Sequence, residues 1–252
     1  MMKPGALTWS SKEFALPSPV LITGASQRVG LAIAENLLTN HYPVIVTYRT
    51  HKASIERLEK AGAVAICADF STDDGILRCI EAVKSHTTSL RAVIHNASSW
   101  DSEKHSKDYA ALFDAMVQIH AKAPYLMNMG LKSLLTTTEE KTDIIHITDF
   151  VQDIGSEKHL AYAASKAALH NLTLSFAQML APDVKVNTIA PALLMFNEGD
   201  DEAYKQKALA KSLMQSEPGA QAAVDAVNYL LNASYVTGET LQVNGGRHLK
   251  FN

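Results

Sequence analysis

The chain has 252 residues, 47% of them hydrophobic, with a formal net charge of −3. That length suits one large α/β unit with a sizeable core. The small net charge is not typical of proteins that bind nucleic acid or an anionic membrane, so we expect neither partner. No apolar run approaches a membrane span or a signal peptide, and Cys67 and Cys79 do not suggest a disulfide framework. A cytoplasmic protein is therefore expected.

Short apolar runs alternate with longer stretches of helical periodicity over residues 19–252, after a proline-containing lead-in, 1–18, that we expect to be poorly ordered. Continuous Val, Ile, Leu and Ala runs are typical of buried parallel strands. The pattern predicts one α/β domain, a Rossmann-type doubly wound parallel sheet of about seven strands with helices on both faces. The runs are Val20–Thr23, Pro43–Thr47, Val64–Ala68, Leu90–His95, Asp143–Thr148, Val184–Ile189 and Thr240–Val243.

A glycine-containing turn follows the first run and opens a helical stretch. Gly24 permits a tight turn, and Gly30 lets the helix approach the sheet. Arg28 stands where related turns usually have another glycine, so its guanidinium could hold a phosphate or a polar substrate. The position after the first strand favours a phosphate site over an ordinary strand–helix connection. The turn residues predicted to bind a dinucleotide are Gly24, Ser26, Arg28, Val29 and Gly30.

The end of the second run carries Tyr48, Arg49 and Thr50. Sites for NAD usually have an acidic residue here that binds the ribose 2′-hydroxyl. An arginine and hydroxyl-bearing residues suit a 2′-phosphate instead. Arg49 alone is consistent with a solvated surface residue, but the missing acid supports the prediction independently. We therefore expect NADPH as the cofactor.

Asp149, Tyr162 and Lys166 form the most informative spacing in the chain. Tyr162 and Lys166 lie four residues apart, on one face of a helix, as in the Y-x-x-x-K pair of hydride-transferring enzymes. Such enzymes usually have a serine at the position of Asp149, whereas a carboxylate suits a substrate rich in N–H donors. Lys166 is expected to favour the phenolate and lower the pKa of Tyr162. The alternatives are a surface Tyr/Lys pair and a turn aspartate after a strand.

The segment 192–218 interrupts the strand–helix alternation and contains an acidic cluster from Glu198 to Glu202. It follows a strand, so it is a candidate substrate loop, although a surface excursion explains it equally well. The ten histidines show no metal-binding spacing, and Ser98 and Ser99 lack a nucleophile-elbow motif. We expect no metal and no hydrolase chemistry.

Several motifs together resemble the short-chain dehydrogenase/reductase family from about Val20 to the C-terminus. They are the T-G-x5-G turn, His95-Asn96-Ala97-Ser98, the Tyr162/Lys166 pair, and Tyr235-Val236-Thr237-Gly238 followed by Gly245-Gly246. Within that family the chain is similar to the pteridine reductases, above all to the bacterial enzymes that act on dihydromonapterin. The features that point there are Arg28, Tyr48-Arg49-Thr50-His51, Asn96-Ala97-Ser98-Ser99-Trp100, Asp149, Phe196-Asn197-Glu198 and Gly245-Gly246-Arg247-His248-Leu249.

The resemblance implies a role for each matching residue. The proton chemistry would fall to Asp149, Tyr162 and Lys166. The pterin would lie between Trp100 and the nicotinamide, in contact with Arg28, Ser98, Asp149 and Tyr162. The cofactor would be bound by Gly24, Ser26, Arg28, Val29, Gly30, Tyr48, Arg49, Thr50, Asp69, Asn96, Ala97, Ser98, Tyr162, Lys166, Pro191 and Leu194.

Three residues depart from the broader family pattern. His120 replaces an asparagine that supports a proton relay, and imidazole can also donate and accept hydrogen bonds. Ala192 replaces a glycine after Pro191. Phe196 replaces a threonine that often meets the nicotinamide carboxamide, so that contact would pass to backbone groups near Leu194.

The activity that the resemblance implies is the NADPH-dependent reduction of 7,8-dihydromonapterin to its tetrahydro form, with side activity on dihydrofolate. Hydride would reach C6, and N5 would take a proton from Tyr162 or from a water guided by Asp149. A carbonyl or 3-oxoacyl reductase is disfavoured by the missing serine, and a non-catalytic NADP(H) sensor would need neither Tyr162 nor Lys166. By the same resemblance we expect a homo-oligomer, a dimer or more specifically a tetramer, that serves tetrahydropterin biosynthesis and one-carbon metabolism.

Overall fold

Seven parallel strands form one sheet in the order β3-β2-β1-β4-β5-β6-β7. The computed structural model describes residues 17–137 and 140–250, so all but the end of the predicted lead-in, 1–18, lies outside the described residues. The sheet confirms the predicted Rossmann-type fold. The strands are β1 (Val20–Ile22), β2 (Val44–Tyr48), β3 (Val64–Cys67), β4 (Ala92–His95), β5 (Thr142–Ile147), β6 (Val184–Pro191) and β7 (Thr240–Val243).

Helices cover both faces of the sheet because successive strand residues point to opposite sides. Val20 and Ile22 of β1 pack with helices α1, α2 and α9, whereas Leu21 between them packs with α3, α5 and α7. None of the described helices is long and apolar enough to cross a membrane. The helices are α1 (Arg28–Thr39), α2 (Ala53–Lys60), α3 (Asp73–His86), α4 (Tyr109–Val117), α5 (Ala123–Leu135), α6 (Val151–Ile154), α7 (Leu160–Leu180), α8 (Glu202–Leu209) and α9 (Gln221–Asn232).

The strand order reverses direction at β1, which pairs with β2 on one side and β4 on the other. The loops that leave β1 and β4 therefore run to opposite faces and leave a crevice at the carboxyl ends of the strands. The loops carrying Gly24 and Asn96 lie at this point. The fold thus places the predicted dinucleotide turn where open parallel sheets bind ligands.

Helix α7, which carries Tyr162 and Lys166, begins without a side-chain cap of its own. Glu103 supplies one from the loop after β4, since its Oε1 accepts a hydrogen bond of 2.8 Å from the Ala161 N–H. A π-helical turn, Gln118–Lys122, joins α4 to α5 and directs the buried His120 toward α7. Both contacts fix helix α7 against the loop that follows β4.

A buried ion group lies at the amino ends of the strands, opposite the crevice. Asp143 of β5 is fully buried and pairs with Arg91 and with Lys185, whose Nζ lies 2.7 Å from Asp143 Oδ1. Lys185 also donates to the carbonyls of Leu230 and Ala233 at 2.8 and 2.7 Å. The hydrogen bonds of Arg91 and Lys185 offset much of the free-energy cost of burying these two cations. The bonds from Lys185 also anchor the end of α9.

Candidate active site

A cavity of about 640 Å³ lies at the crevice beside the carboxyl ends of β1, β2, β3 and β4. It brings together most of the predicted cofactor residues. Lys52, Gln27, Phe70 and Ser71 also line it, although the sequence motifs did not single them out. The predicted residues that line the cavity are Gly24, Ser26, Arg28, Val29, Gly30, Tyr48, Arg49, Thr50, Asp69, Asn96, Ala97 and Ser98.

The dinucleotide turn is held in shape by Asn96 and Thr23. Asn96 Nδ2 donates to the carbonyls of Thr23 and Gly24 at 3.0 and 2.9 Å. Thr23 Oγ1 accepts from the N–H groups of Asn96 and Ala97, both at 3.0 Å. The amide of Asn96 therefore builds the turn itself, a role that the family motif alone did not indicate.

Glycine is required at two positions of this turn. Gly24 has a φ of +69°, in the left-handed region that favours glycine. A Cβ on Gly30 would lie 2.4 Å from Asn96 Nδ2 and 2.5 Å from the Gly24 carbonyl oxygen. The helix can therefore approach the turn only without a side chain there, which keeps its N-terminus beside the cavity.

The far end of the cavity has the residues that a 2′-phosphate needs. Arg49, Thr50 and Lys52 line it, and the end of β2 has no acidic residue. Lys52 Nζ donates to Gln27 Oε1, which ties this end to the dinucleotide turn. Hydrogen bonds from Ser71 and the charge of Arg49 hold the pKa of Asp69 below its usual value. A phosphorylated adenosine fits this set of donors.

Arg28 adopts a φ of +53°, and its guanidinium reaches across to the segment after β6. It donates to the Met195 carbonyl and to Asn197 Oδ1, each at 3.0 Å, and to the Phe196 carbonyl at 3.4 Å. Arg28 thus lines the cavity and at the same time connects the dinucleotide turn to the predicted substrate loop, 192–218. The role of that loop stays a prediction.

The end of β5 and helix α7 bring Asp149, Tyr162 and Lys166 together. Tyr162 Oη donates a hydrogen bond of 3.1 Å to Asp149 Oδ2, while Asp149 Oδ1 accepts from the Val151 N–H at 3.0 Å. Lys166 Nζ donates to the Ile147 carbonyl at 3.1 Å and lies 5.6 Å from the centroid of the Tyr162 ring. The carboxylate therefore faces the phenol, as the spacing predicted.

The pKa of Tyr162 shifts in the direction opposite to our expectation. Burial, followed by the charge and hydrogen bond of Asp149, raises the pKa of Tyr162 well above its usual value. Burial also raises the pKa of Asp149 and lowers that of Lys166 to about 8. The prediction that Lys166 lowers the tyrosine pKa was wrong for this structure, because an adjacent carboxylate and desolvation both disfavour the phenolate.

His120 connects the loop after β4 to the catalytic helix. Its Nε2 lies 2.8 Å from Ser98 Oγ and accepts from the Ser99 N–H at 3.3 Å, so the imidazole proton is on Nδ1. Nδ1 lies 2.8 Å from Ser165 Oγ, which donates to the Tyr162 carbonyl at 2.7 Å.

Burial and the charge of Lys166 lower the pKa of His120 to about 2, so its ring is neutral at physiological pH. Within the described part of the chain, no hydrogen bond joins His120 to the Tyr162 hydroxyl or to Lys166 Nζ. His120 thus contacts the framework of α7 rather than its reacting groups.

Trp100, Pro191 and Leu194 lie outside the dinucleotide cavity. The Trp100 side chain is 58% exposed, and its ring centroid lies 5.0 Å from that of His159, just before α7. The carbonyls of Pro191 and Leu194 accept from Phe150 and Gly219 at 2.9 and 2.8 Å. Their predicted contacts with pterin and nicotinamide remain predictions.

Besides Gln27, Phe70 and Ser71, the residues of this region that were not predicted as part of the site include Thr23, Lys52, Glu103 and Arg247. Thr23 and Lys52 stand next to motif residues, so their positions in the sequence could have indicated that they belong to the site. Glu103 acts on α7 from 58 positions away, which no local pattern reveals. No group of three potential metal-ligating side chains lies together in residues 17–137 and 140–250.

Comparison with known proteins gives concordant matches. A family model described as Enoyl-(Acyl carrier protein) reductase matches residues 24–248. Dihydromonapterin reductase of Klebsiella pneumoniae subsp. pneumoniae is 56% identical over 235 residues, 93% of this chain and 98% of that protein. Dihydromonapterin reductase of Escherichia coli O6:K15:H31 is 52% identical over 235 residues, with the same coverage. The crystal structure of FolM Alternative dihydrofolate reductase 1 from Brucella canis, complexed with NADP, is similar with a TM-score of 0.84 and 26% identity, covering 94% of this chain and 96% of that one.

Proposed function

The chain belongs to the short-chain dehydrogenase/reductase family, and from this premise we propose that it is an NADPH-dependent dihydromonapterin reductase. It reduces 7,8-dihydromonapterin to 5,6,7,8-tetrahydromonapterin and has side activity on dihydrofolate. Relatives above 50% identity along nearly the whole chain carry the dihydromonapterin reductase name. The observation that carries the proposal is the carboxylate of Asp149 hydrogen-bonded to Tyr162, in place of a serine.

NADPH fits the residues of the cavity. The glycine turn and the N-terminus of α1 line the cavity, which supports a pyrophosphate site there, and Arg49, Thr50 and Lys52 suit the 2′-phosphate. The similar FolM structure is complexed with NADP. When bound, the cofactor supplies the hydride that C6 of the pterin receives.

Asp149 and Tyr162 handle the proton that N5 requires. Burial raises the pKa of both groups, and the pKa of Tyr162 lies well above 10, so the phenol keeps its proton at neutral pH and donates it in the hydrogen bond to Asp149. We infer that Asp149 accepts a hydrogen bond from a pterin N–H and orients a water that passes a proton from solvent to N5, while Tyr162 and Lys166 orient the nicotinamide ribose.

Ser98 and Arg28 contact the polar edge of the pterin, and Trp100 covers its face. A stacked indole stabilises such a complex by about 0.5–1.5 kcal/mol beyond its buried area. The 58% exposure of the Trp100 side chain supports this role. Closure of the segment 192–218 over the substrate is part of the same proposal.

The assembly and location of the enzyme belong to this proposal as well. Helices α4, α5 and α7 expose large apolar side chains, among them Phe113, Tyr125, Leu174 and Met179. Apolar groups of this kind favour self-association, which supports a homodimer or homotetramer. We place the enzyme in the cytoplasm, in tetrahydropterin biosynthesis linked to one-carbon metabolism.

The proposal is tested by following NADPH oxidation with 7,8-dihydromonapterin, dihydrofolate and an acetoacetyl thioester. We expect the highest kcat/KM for dihydromonapterin, a lower value for dihydrofolate and none for the thioester. Tyr162→Phe should lose turnover but keep its affinity for NADPH, which separates an enzyme from a cofactor sensor. A folded, NADPH-binding protein that turns over only the thioester, or nothing, would contradict the proposal.

A further inference from the structure

The guanidinium of Arg247 lies next to the loop that carries Asp149 and Phe150, and no described residue accepts a hydrogen bond from it. Its Cζ lies 4.4 Å from the centroid of the Phe150 ring, and Phe150 directly follows Asp149. Among the described residues, none accepts a hydrogen bond from its side chain and none forms an ion pair with it. The aromatic ring holds the guanidinium in place, while its N–H donors stay available.

Arg247 lines a second cavity, of about 280 Å³, which shares no lining residue with the dinucleotide cavity. This cavity lies beside the carboxyl ends of β6 and β7, at the edge of the sheet where the reaction takes place. Ser212, Ser216 and Asn244 supply polar lining groups, and Leu193 and Val243 supply apolar ones. It can therefore receive an elongated, partly apolar group that ends in a charge.

Cationic side chains lie around this cavity. Burial, followed by the charges of Arg247, Lys158 and Lys207, lowers the pKa of Lys211, which adjoins the lining residue Ser212. None of them has an acidic ion-pair partner in the described part of the chain. Three acidic groups nearby are engaged elsewhere: Asp149 accepts from Tyr162, Asp153 accepts from Gln242 at 3.0 Å, and Glu217, between the lining residues Ser216 and Pro218, accepts from the Phe196 N–H at 2.7 Å.

We propose that Arg247 forms a subsite for an anionic group, a carboxylate or a phosphate, at the end of the substrate's side chain. The inference rests on the proposed function, because Asp149 fixes the pterin ring beside this subsite. A planar guanidinium binds a carboxylate or phosphate through two parallel hydrogen bonds, and an ammonium nearby adds charge. Dihydrofolate, which ends in glutamyl carboxylates, would use the subsite, whereas dihydromonapterin has an uncharged side chain.

The test compares the ratio of KM for dihydrofolate to KM for dihydromonapterin in wild type and in Arg247→Met. If the substitution also alters Asp149, the KM values for both substrates change together, so this effect cancels in their ratio. We expect the ratio to rise about tenfold, as for the loss of a charge-assisted hydrogen bond. Arg247→Lys should lie between the two proteins. Lys60→Met, a matched loss of one exposed cation at the end of α2, should leave the ratio unchanged.

A phosphate ester of dihydromonapterin distinguishes the two anion sources. If the subsite binds phosphate, the ester has a lower KM than dihydromonapterin in wild type and loses that advantage in Arg247→Met. If it binds only carboxylate, the change is confined to dihydrofolate. Equal changes for all three substrates, or no change, would overturn the proposal.

A binding measurement keeps the two proposals separable. p-Aminobenzoylglutamate should bind the NADP⁺-loaded wild-type protein more tightly than uncharged p-aminobenzamide, and Arg247→Met should abolish the difference. Circular dichroism checks that the variant is folded. If no pterin is turned over but p-aminobenzoylglutamate still binds more tightly than p-aminobenzamide, only the proposed function is contradicted. If both probes bind wild type equally, the anion subsite is contradicted.

Discussion

The phenol of Tyr162 donates a 3.1 Å hydrogen bond to Asp149 Oδ2, and the second oxygen of that carboxylate accepts from the Val151 N–H. The pair is thus fixed from both sides, by the strand end and by helix α7. A serine at position 149 would have one hydroxyl and could not hold both contacts while accepting from a substrate N–H. Under the proposed function, the carboxylate is therefore the group that lets this site accept a hydrogen bond from the substrate.

Asp149→Ser should reduce pterin turnover far more than cofactor binding. We expect kcat/KM for dihydromonapterin to fall by about 10²–10⁴-fold, the usual contribution of a positioned acid or base. The Kd for NADPH should change less than about threefold, because Asp149 does not line the dinucleotide cavity. Steady-state kinetics and fluorescence titration measure the two quantities. Comparable losses in both would show that Asp149 supports cofactor binding instead.

Replacement of His120 should show how its contacts position α7. His120→Ala leaves Ser165 Oγ and the Ser99 N–H without their partner in a buried region, so the free energy of unfolding should fall by about 2–5 kcal/mol. His120→Asn, which restores the family's usual residue, should lose less. Urea unfolding measures both. If both variants match wild type, the contacts of His120 contribute nothing to stability.

Acid should destabilise the protein through its buried histidines. His95 and His146 are joined through Asn128, with His95 Nε2 at 2.7 Å from Asn128 Oδ1, and burial lowers the pKa of His95 to about 4. Burial likewise holds the pKa of His146 well below 6.5. Below pH 6.5 the unfolded chain therefore binds more protons than the native one, and stability falls as the pH drops toward 4.

The slope should be about 1.4 kcal/mol per pH unit for each histidine that stays neutral in the native state. Urea unfolding at several values between pH 7.5 and pH 4.5 tests this. His95→Asn should make the dependence shallower, whereas His86→Asn, at an exposed position, should keep the wild-type slope. A stability that stays constant over this range would contradict the prediction.

Gly30→Ala should weaken NADPH binding. The new methyl group would lie 2.4 Å from Asn96 Nδ2, so the turn, the helix or the asparagine must move. We expect the Kd for NADPH to rise at least about tenfold, since the pyrophosphate depends on that turn. Gly199→Ala is a suitable control, because a Cβ there meets no atom within 4 Å. A Kd equal to that of wild type would show that the turn tolerates the displacement.

Local patterns predicted the sheet and the dinucleotide turn because both depend on short stretches of sequence. Continuous apolar runs marked all seven strands, and the end of β2 marked the 2′-phosphate end of the cavity. The Tyr162/Asp149 contact was also foreseen, since a strand end and one helical turn fix both residues.

What the sequence did not reveal depends on contacts between distant segments and on desolvation. Arg28 reaches residues 168 positions away, and the position of Arg247 over Phe150 depends on how the C-terminal segment packs. The raised pKa of Tyr162 follows mainly from burial, which the spacing of residues along the sequence does not reveal. A motif can show which charged residues are neighbours, but only the folded structure shows how far each group is desolvated.

The hydrogen bonds from Asn96 to the backbone of Thr23 and Gly24 mean that the protein's own contacts shape the proposed phosphate-binding loop. Little conformational entropy remains to be lost at this loop upon association, so most of the attraction between the loop and the diphosphate is retained as affinity. The enzyme should consequently capture its reductant by docking to a rigid receptor rather than by folding a loop around it.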